Sequence, residues 1–177
     1  MEKGHERSLR MLSTALEMEM EGKVFYEKAV ASCRNQLGRE MFRILMKDEL
    51  IHMDRILKIY ESLRAGEAWS DEWKSTKPGR KEISVLFKEM AAAHGTKINA
   101  TTGDLEALDA GIDLESRAVA FYQENLSKAT DSVEQEFIER MIMEEKSHHA
   151  ALSDMKLYLS DPAAWFVEQE HTVLDGA

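Results

Sequence analysis

The sequence predicts an all-α protein, an antiparallel four-helix bundle with one long crossover between its second and third helices. Three observations lead to this fold class. The 177 residues include only two prolines and nine glycines, so few positions interrupt a helix. Long segments place apolar residues three or four positions apart, which is the spacing of one helix face. The two halves of the chain also repeat the same pattern, which predicts two helical hairpins of similar build.

The first hairpin spans about residues 8–63. Apolar residues at helical spacing predict one helix over 8–32 and a second over 37–63. Between them lies Asn35, a residue type that commonly caps the N-terminus of a helix. Because this connection is short, the two helices are expected to run antiparallel and to pack against each other.

Residues 64–103 form the predicted crossover. Glycines and prolines interrupt this segment, and a short helix is expected near 82–92. Trp69 and Trp73 lie in an otherwise polar stretch, and we expect them to anchor the crossover to the bundle. A connection of this length without structure or function of its own would be unusual in a compact domain.

The second hairpin spans about residues 104–159, and the chain 1–177 is predicted to form one domain. The first helix of this hairpin is expected over 104–126. The second is expected to begin at a capping box, formed either by Asp131 with Glu134 or by Ser132 with Gln135.

The last segment combines a helix-stopping dipeptide with aromatic residues. Asp161–Pro162 is expected to end the fourth helix, because proline cannot continue one. We expect Trp165, Phe166 and Leu174 to fold back as a tail onto the surface of the bundle.

Composition narrows the classes of function. The net charge of −10 argues against nucleic acid or an anionic membrane surface as the main partner. No apolar run approaches the ~18 residues of a membrane span, and no apolar signal core follows the N-terminus, so a cytoplasmic location is expected. Cys33 is the single cysteine, which excludes an intrachain disulfide and a thiolate metal cluster within one chain.

Two Glu-x-x-His motifs are the candidate chemical centre. Glu49 with His52, and Glu145 with His148, each lie about one helical turn apart and interrupt an apolar stripe. An ionised side chain that faces the core is costly unless something compensates its charge. His149 is a rival to His148 at the i+4 spacing, but the internal repeat favours His148.

A shift of 96 residues superposes the two motifs and pairs Glu19 with Glu115. Each of these acids precedes its motif by 30 residues, which gives similar heights on two antiparallel helices at ~1.5 Å per residue. Two hairpins packed face to face would bring four Glu and two His to one level of the core. The other acids nearby are expected to be solvated: Glu17, Glu21, Asp48 and Glu144.

Four inward carboxylates need counter-charge, because burial and mutual repulsion would raise their pKa values. Two divalent cations balance four Glu, and two neutral imidazoles complete the ligand set. Carboxylate and imidazole ligands without thiolate suit iron or manganese, and zinc can also bind. A metal-free buried polar network is the alternative. The candidate ligands are Glu19, Glu49, His52, Glu115, Glu145 and His148.

The pattern resembles the rubrerythrin-like members of the ferritin-like di-iron carboxylate superfamily. The long crossover agrees with that family, and the segment from Trp165 to Gly176 is similar to tails found in it. The resemblance covers nearly the whole chain and implies a ferritin-like bundle with two iron ions at its centre. It is carried by these residues: Glu19, Phe25, Tyr26, Glu49, His52, Glu115, Phe121, Tyr122, Glu145 and His148.

The resemblance also implies roles at the centre. The Glu of each Glu-x-x-His motif would bridge the two irons, Glu19 and Glu115 would be terminal ligands, and each His would bind one iron. Tyr26 and Tyr122 follow the terminal Glu residues by about two helical turns and are expected to hydrogen-bond to ligand carboxylates.

In this family, such centres reduce hydrogen peroxide or dioxygen; an iron-storage protein with a ferroxidase centre is the alternative function. The chain departs from the family pattern at two points. It has Ala118 where rubrerythrins usually carry a further Glu, and its single cysteine cannot form a rubredoxin domain. Electrons are therefore expected from a separate donor protein such as a rubredoxin. The chain is expected to form a homo-oligomer, most simply a dimer.

Overall fold

The computed structural model describes residues 3–98 and 100–174, and this part of the chain is entirely helical apart from turns and connections. The predicted all-α fold class is thereby confirmed. A short 3-10 helix, Glu72–Ser75, lies in the crossover. None of the described helices is long and apolar enough to cross a bilayer. The α-helices are α1 (Lys3–Ser32), α2 (Gln36–Arg64), α3 (Ile83–His94), α4 (Thr102–Leu126), α5 (Ser132–Ser160) and α6 (Pro162–Leu174).

Two helical hairpins form the bundle. α1 packs along α2, and α4 packs along α5, and these two contacts are the most extensive in the molecule. Asn35 caps α2 as predicted, because its Oδ1 accepts the N–H of Gly38 at 2.9 Å. A capping box that was not predicted begins α4, where Thr101 and Asp104 each accept a hydrogen bond from the other's backbone N–H.

The start of α1 is tied to the start of α5. Ser8 Oγ donates to Glu134 Oε1 at 2.8 Å, and Arg7 forms an ion pair with the same carboxylate. These contacts explain why α1 begins at Lys3 rather than near residue 8. They also turn Glu134 away from the predicted capping box, so Asp131 alone caps α5, accepting two backbone N–H groups at 2.8 and 3.0 Å.

The crossover is anchored by its tryptophans, as the sequence predicts. Trp69 and Trp73 are buried, and their ring centroids lie 5.9 and 5.5 Å from that of Phe137 on α5. Further along the crossover, α3 packs on the same helix. Phe87 of α3 is fully buried there, with its ring 5.9 Å from Tyr158.

The C-terminal segment differs from the expected tail, because it forms a further helix. Asp161–Pro162 ends α5 at Ser160, as predicted, and Pro162 also occupies the first position of α6, where its missing N–H leaves no hydrogen bond unmade. Asp161 accepts the N–H of Ala164 at 3.0 Å and so stabilises this start. Trp165 on α6 is buried, as expected. The side chain of Leu174 lies outside the described residues.

Two apolar clusters, one toward each end of the bundle, leave a polar layer between them. One cluster surrounds the tip of the first hairpin and includes Tyr26; the other surrounds the tip of the second hairpin and includes Tyr122. Both tyrosines are fully buried. The candidate ligands belong to neither cluster, and the two phenols therefore stand at the boundary between apolar core and polar layer.

Replacing Trp165 by Ala should destabilise the protein by about 3–5 kcal/mol, the usual cost of truncating a buried large aromatic residue. The indole is 2% exposed, lies against Tyr158 and Phe87, and donates from Nε1 to Asp154 at 2.9 Å. Urea unfolding of the metal-free protein measures the change. Val167, which is 53% exposed on the same helix, provides the control, and Val167→Ala should change stability by less than ~0.5 kcal/mol. Equal effects of the two substitutions would show that α6 is not docked through Trp165.

Candidate metal centre

The six candidate ligands predicted from the sequence lie together at one level of the bundle. Their side chains are each exposed by 3% or less. Glu49, Glu115, Glu145 and His148 offer ligand atoms that all lie within 4.8 Å of one another, and so do Glu19, Glu49 and His52. The two groups share Glu49. This arrangement matches two adjacent metal positions with one carboxylate common to both.

Glu145 occupies the space between the two imidazoles. Its Oε1 lies 3.1 Å from Nδ1 of His52, and its Oε2 lies 3.2 Å from Nδ1 of His148. Glu19 approaches the first imidazole at 3.0 Å, and Glu115 approaches the second at 3.7 Å. The geometry therefore gives each hairpin one central carboxylate, Glu49 or Glu145. The other two carboxylates, Glu19 and Glu115, each lie beside a single His.

The outer nitrogen of each imidazole pairs with an acid from the opposite hairpin. His52 Nε2 lies 2.9 Å from Glu144, and His148 Nε2 lies 3.0 Å from Asp48. The expectation that Asp48 and Glu144 are solvated is therefore wrong, since Asp48 is 3% exposed and the side chain of Glu144 13%. A carboxylate on the outer nitrogen fixes the tautomer that leaves Nδ1 available to a metal. By contrast, Glu17 and Glu21 are exposed as predicted.

Three arginines neutralise these outer acids. Arg55 Nη1 donates to Glu144 at 2.6 Å, and Arg140 Nε donates to the other oxygen of Glu144 at 2.5 Å. Arg80, from the crossover, forms an ion pair with Asp48. Although burial acts to raise the pKa of Glu144, His52 and Arg55 together hold it well below the ordinary value. The carboxylate thus stays ionised, and it can accept a hydrogen bond from the Nε2–H group of His52.

The two predicted tyrosines donate hydrogen bonds across the bundle. Tyr26 of α1 donates to Glu115 of α4, and Tyr122 of α4 donates to Glu19 of α1 at 2.5 Å. Burial, followed by the charges of these carboxylates, raises the pKa of both phenols well above the ordinary value. The phenols therefore remain donors at neutral pH, and each fixes the carboxylate of the opposite hairpin.

Without a metal, protons supply the positive charge that the layer needs. Burial acts to lower the pKa of His148, but Glu115 and Glu145 outweigh it and raise that pKa to about 10. The pKa of His52 is raised well above its ordinary value because the charges of Glu145 and Glu19 likewise outweigh burial. Burial raises the pKa of Glu115 to about 7, even though His148 acts in the opposite direction.

The residues fit a pair of divalent cations. Several ligand atoms are buried and have no hydrogen bond of good geometry within the described residues, which is costly for a polar atom. A cation between them would satisfy these atoms and balance the four carboxylates, and the oxygen and nitrogen donor set suits iron or manganese. The atoms concerned are Glu49 Oε2, Glu145 Oε1 and His148 Nδ1.

The sequence also contains a pattern that could have identified the two outer acids. The 96-residue shift that relates the motifs also relates Asp48 to Glu144, so each motif is preceded directly by an acid. No comparable signal exists for Arg55, because the equivalent position in the second half is Ala151. Arg80 likewise belongs to the crossover, which has no counterpart in the repeat.

Comparison with known families agrees with this site. A sequence model described as Rubrerythrin matches residues 10–156. The matched region contains all six candidate ligands and both tyrosines, and it confirms the resemblance indicated by the motifs. Neither a search of curated proteins nor a search of solved structures found a match.

Substituting an outer acid should weaken metal binding although it removes no ligand. Asp48→Asn and Glu144→Gln each take away the charge that orients an imidazole, and the expected loss of affinity is about 10- to 100-fold. Competition with a chelator for Mn²⁺ measures this loss. Glu139→Gln is the matched control, because Glu139 is an exposed acid on α5, and it should leave affinity unchanged. Wild-type affinity in Glu144→Gln would contradict a role for the outer pair.

Metal uptake should release protons at neutral pH, since bound imidazoles must be neutral and bound carboxylates ionised. His148 and Glu115, with pKa values of about 10 and about 7 in the metal-free centre, carry protons that compete with metal. Lower pH therefore opposes binding, and affinity should rise between pH about 7 and about 10. Calorimetry with Mn²⁺ in buffers of different ionisation enthalpy counts the protons.

His149 provides the control for this count. It neighbours His148 but is partly exposed, so His149→Ala should release as many protons as the wild type, whereas His148→Ala should release fewer. A metal affinity that stays flat over the whole pH range would show that the imidazoles hold no competing protons.

Proposed function

The chain belongs to the rubrerythrin family, and on that premise we propose that it is a non-haem di-iron oxidoreductase that reduces hydrogen peroxide or dioxygen. When bound, two ferrous ions would supply the two electrons that reduce the O–O bond of hydrogen peroxide, and two protons would complete two waters. A separate donor returns the two electrons. The single Cys33 cannot build a four-cysteine iron site within these 177 residues, so the proposed donor is another protein, such as a rubredoxin.

The observation that carries this proposal is the shared carboxylate layer. Two groups of ligand atoms meet at Glu49, and Glu145 lies between the two imidazoles. Two metal ions held side by side would supply the two electrons that the reduction of an O–O bond needs. Glu49 and Glu145 would be ligands common to both ions, and each of the four remaining candidate ligands would hold one.

The surrounding residues support a redox centre by holding the ligands and excluding water. Tyr26 and Tyr122 restrain the two terminal carboxylates, each from the opposite hairpin. The apolar clusters above and below the layer limit the approach of solvent along the bundle axis. The proposed role of the tyrosines is thus to keep Glu19 and Glu115 in position while the charge of the centre changes.

An iron-storage function with a ferroxidase centre is the second candidate, and Ala118 is the observation that favours it. Rubrerythrins usually carry a further carboxylate at this point of the helix that corresponds to α4, and the methyl group of Ala118 cannot bind a metal.

We also propose that two copies of the chain pair through the outer face of the first hairpin. Several large apolar side chains are exposed on this face, where a partner would cover them. They are Met20, Val24, Leu50 and Leu57, which are 50%, 39%, 46% and 39% exposed.

Anaerobic loading with Fe²⁺ followed by hydrogen peroxide tests the leading proposal. We expect two irons per chain and the consumption of one peroxide for every two irons oxidised, followed by absorbance and by peroxide assay. The loaded protein should also unfold at a higher temperature, because ligand at a hundredfold excess over Kd adds about 2.7 kcal/mol of stability. Glu49→Ala should lose both effects. Glu61→Ala, which replaces an exposed acid on the same helix, should keep them.

Iron content and assembly size separate the two functions. A dimer with about two irons per chain that turns over peroxide repeatedly when given a reductant supports the oxidoreductase. A large assembly that accumulates many irons per chain supports storage. Loaded protein that reacts with neither peroxide nor dioxygen would exclude both.

A further inference from the structure

A narrow cleft between α1 and α4 reaches the carboxylate layer from the protein surface. Its volume is about 20 Å³. The side chains at its inner end are four of the six candidate ligands, and two small residues lie beside them on the two helices. The lining residues that matter are Glu19, Glu49, Glu115, Glu145, Gly22 and Ala118.

Gly22 keeps the α1 side of this cleft open. A Cβ atom at this position would lie 3.2 Å from both Cδ and Oε1 of Glu49, closer than an ordinary van der Waals contact. Glycine in the interior of a long helix is unfavourable compared with alanine. The residue therefore leaves space beside a ligand at a position where helix stability alone favours a side chain.

Ala118 occupies the equivalent position on the α4 side. It lies 96 residues after Gly22, and each of the two residues follows the first Glu of its half by one helical turn. The neighbouring pair shows that such positions face each other, because Glu21 and Arg117 are also 96 residues apart and meet at 3.4 Å across the mouth of the cleft. Both halves of the repeat thus contribute a small residue to the same opening.

A second cavity approaches the site from the crossover, but of the six candidate ligands only His148 lines it. It has a volume of about 260 Å³ and is lined by His148 together with the outer acids Asp48 and Glu144, which are already paired with imidazoles and arginines. Glu49 and Glu145, whose Oε2 and Oε1 have no hydrogen bond within the described residues, line the narrow cleft instead. The narrow cleft is therefore the opening that meets the four candidate carboxylate ligands.

We propose that the cleft between Gly22 and Ala118 is the route by which the oxidant reaches the centre, and that its width restricts the oxidant to the smallest peroxides and dioxygen. This inference rests on the proposed function. The volume of about 20 Å³ is only slightly more than the 10–15 Å³ that one water molecule needs, so the cleft favours the smallest oxidants. An alkyl hydroperoxide carries a bulky group that the cleft does not hold.

Enlarging Ala118 tests the route. In iron-loaded protein, Ala118→Leu should slow both the association of azide and the reaction with hydrogen peroxide by about tenfold or more, which corresponds to ~1.4 kcal/mol of barrier. Azide binding, followed by its absorbance with the oxidised centre, requires no turnover. Ala120→Leu makes the same change on the exposed side of α4 and should leave both rates unchanged.

Selectivity provides a second test. Wild-type protein should react with hydrogen peroxide at least about tenfold faster than with tert-butyl hydroperoxide, and Ala118→Gly, which widens the cleft, should reduce this ratio. Metal content is measured for every variant. If Ala118→Leu loses iron, the residue supports the ligands rather than access, and the proposal is wrong.

The outcomes separate this inference from the proposed function. Wild-type protein that reacts with neither hydrogen peroxide nor dioxygen would end the proposed function, while azide rates measured after chemical oxidation of the bound iron would still decide the route. If the wild type turns over hydrogen peroxide but Ala118→Leu and Ala120→Leu bind azide equally fast, the function stands and the route is wrong. Equal rates with the two peroxides would overturn the size restriction.

Discussion

The structure depends on one electrostatic constraint: four carboxylates lie at a single level between two apolar clusters and must be neutralised there. In water each carboxylate would be solvated, but none of the four side chains is more than 3% exposed. Two imidazoles, two phenols and three arginines surround the layer, and each contacts a carboxylate of the layer or an acid beside it. In the proposed function, metal ions complete this charge balance; in the metal-free protein, protons on the imidazoles do so.

Neutralisation also explains why the two halves of the chain are not equivalent. The repeat duplicates the candidate ligands, the tyrosines and the outer acids, but not the arginines. Glu144 pairs with Arg55 and Arg140, whereas Asp48 pairs with Arg80 of the crossover. Arg55 further donates to the carbonyl of Thr76 at 2.8 Å. The crossover is thus part of the centre as well as a connection, because it supplies one counter-charge and fixes another.

The helices and the six candidate ligands could be predicted because both follow from a helical period. Each ligand interrupts an apolar stripe on a helix, and the repeat selected Glu19 over its acidic neighbours. The outer acids could not be placed from one helix alone. The side chain of Asp48 points about 100° away from that of Glu49 around the helix axis. On an isolated helix this direction faces solvent, but in the structure α5 and the crossover cover it. The helix that begins at Pro162 was not predicted, because proline commonly ends one helix and can also begin another.

Ligands of this kind are common to storage and catalytic centres, so function depends on what surrounds them. The residues that differ between the two uses are those that govern access and the supply of electrons. Glycine at position 22 costs helix stability of about 1 kcal/mol relative to alanine, and the structure gives one reason to keep it, the 3.2 Å approach to Glu49. Ala118 contributes only a methyl group to the facing side, where a further carboxylate would fill more of the cleft. Under the proposed function, the small size of residues 22 and 118 determines which oxidant reaches the metal pair. The ligand set determines only that an oxidant can react there.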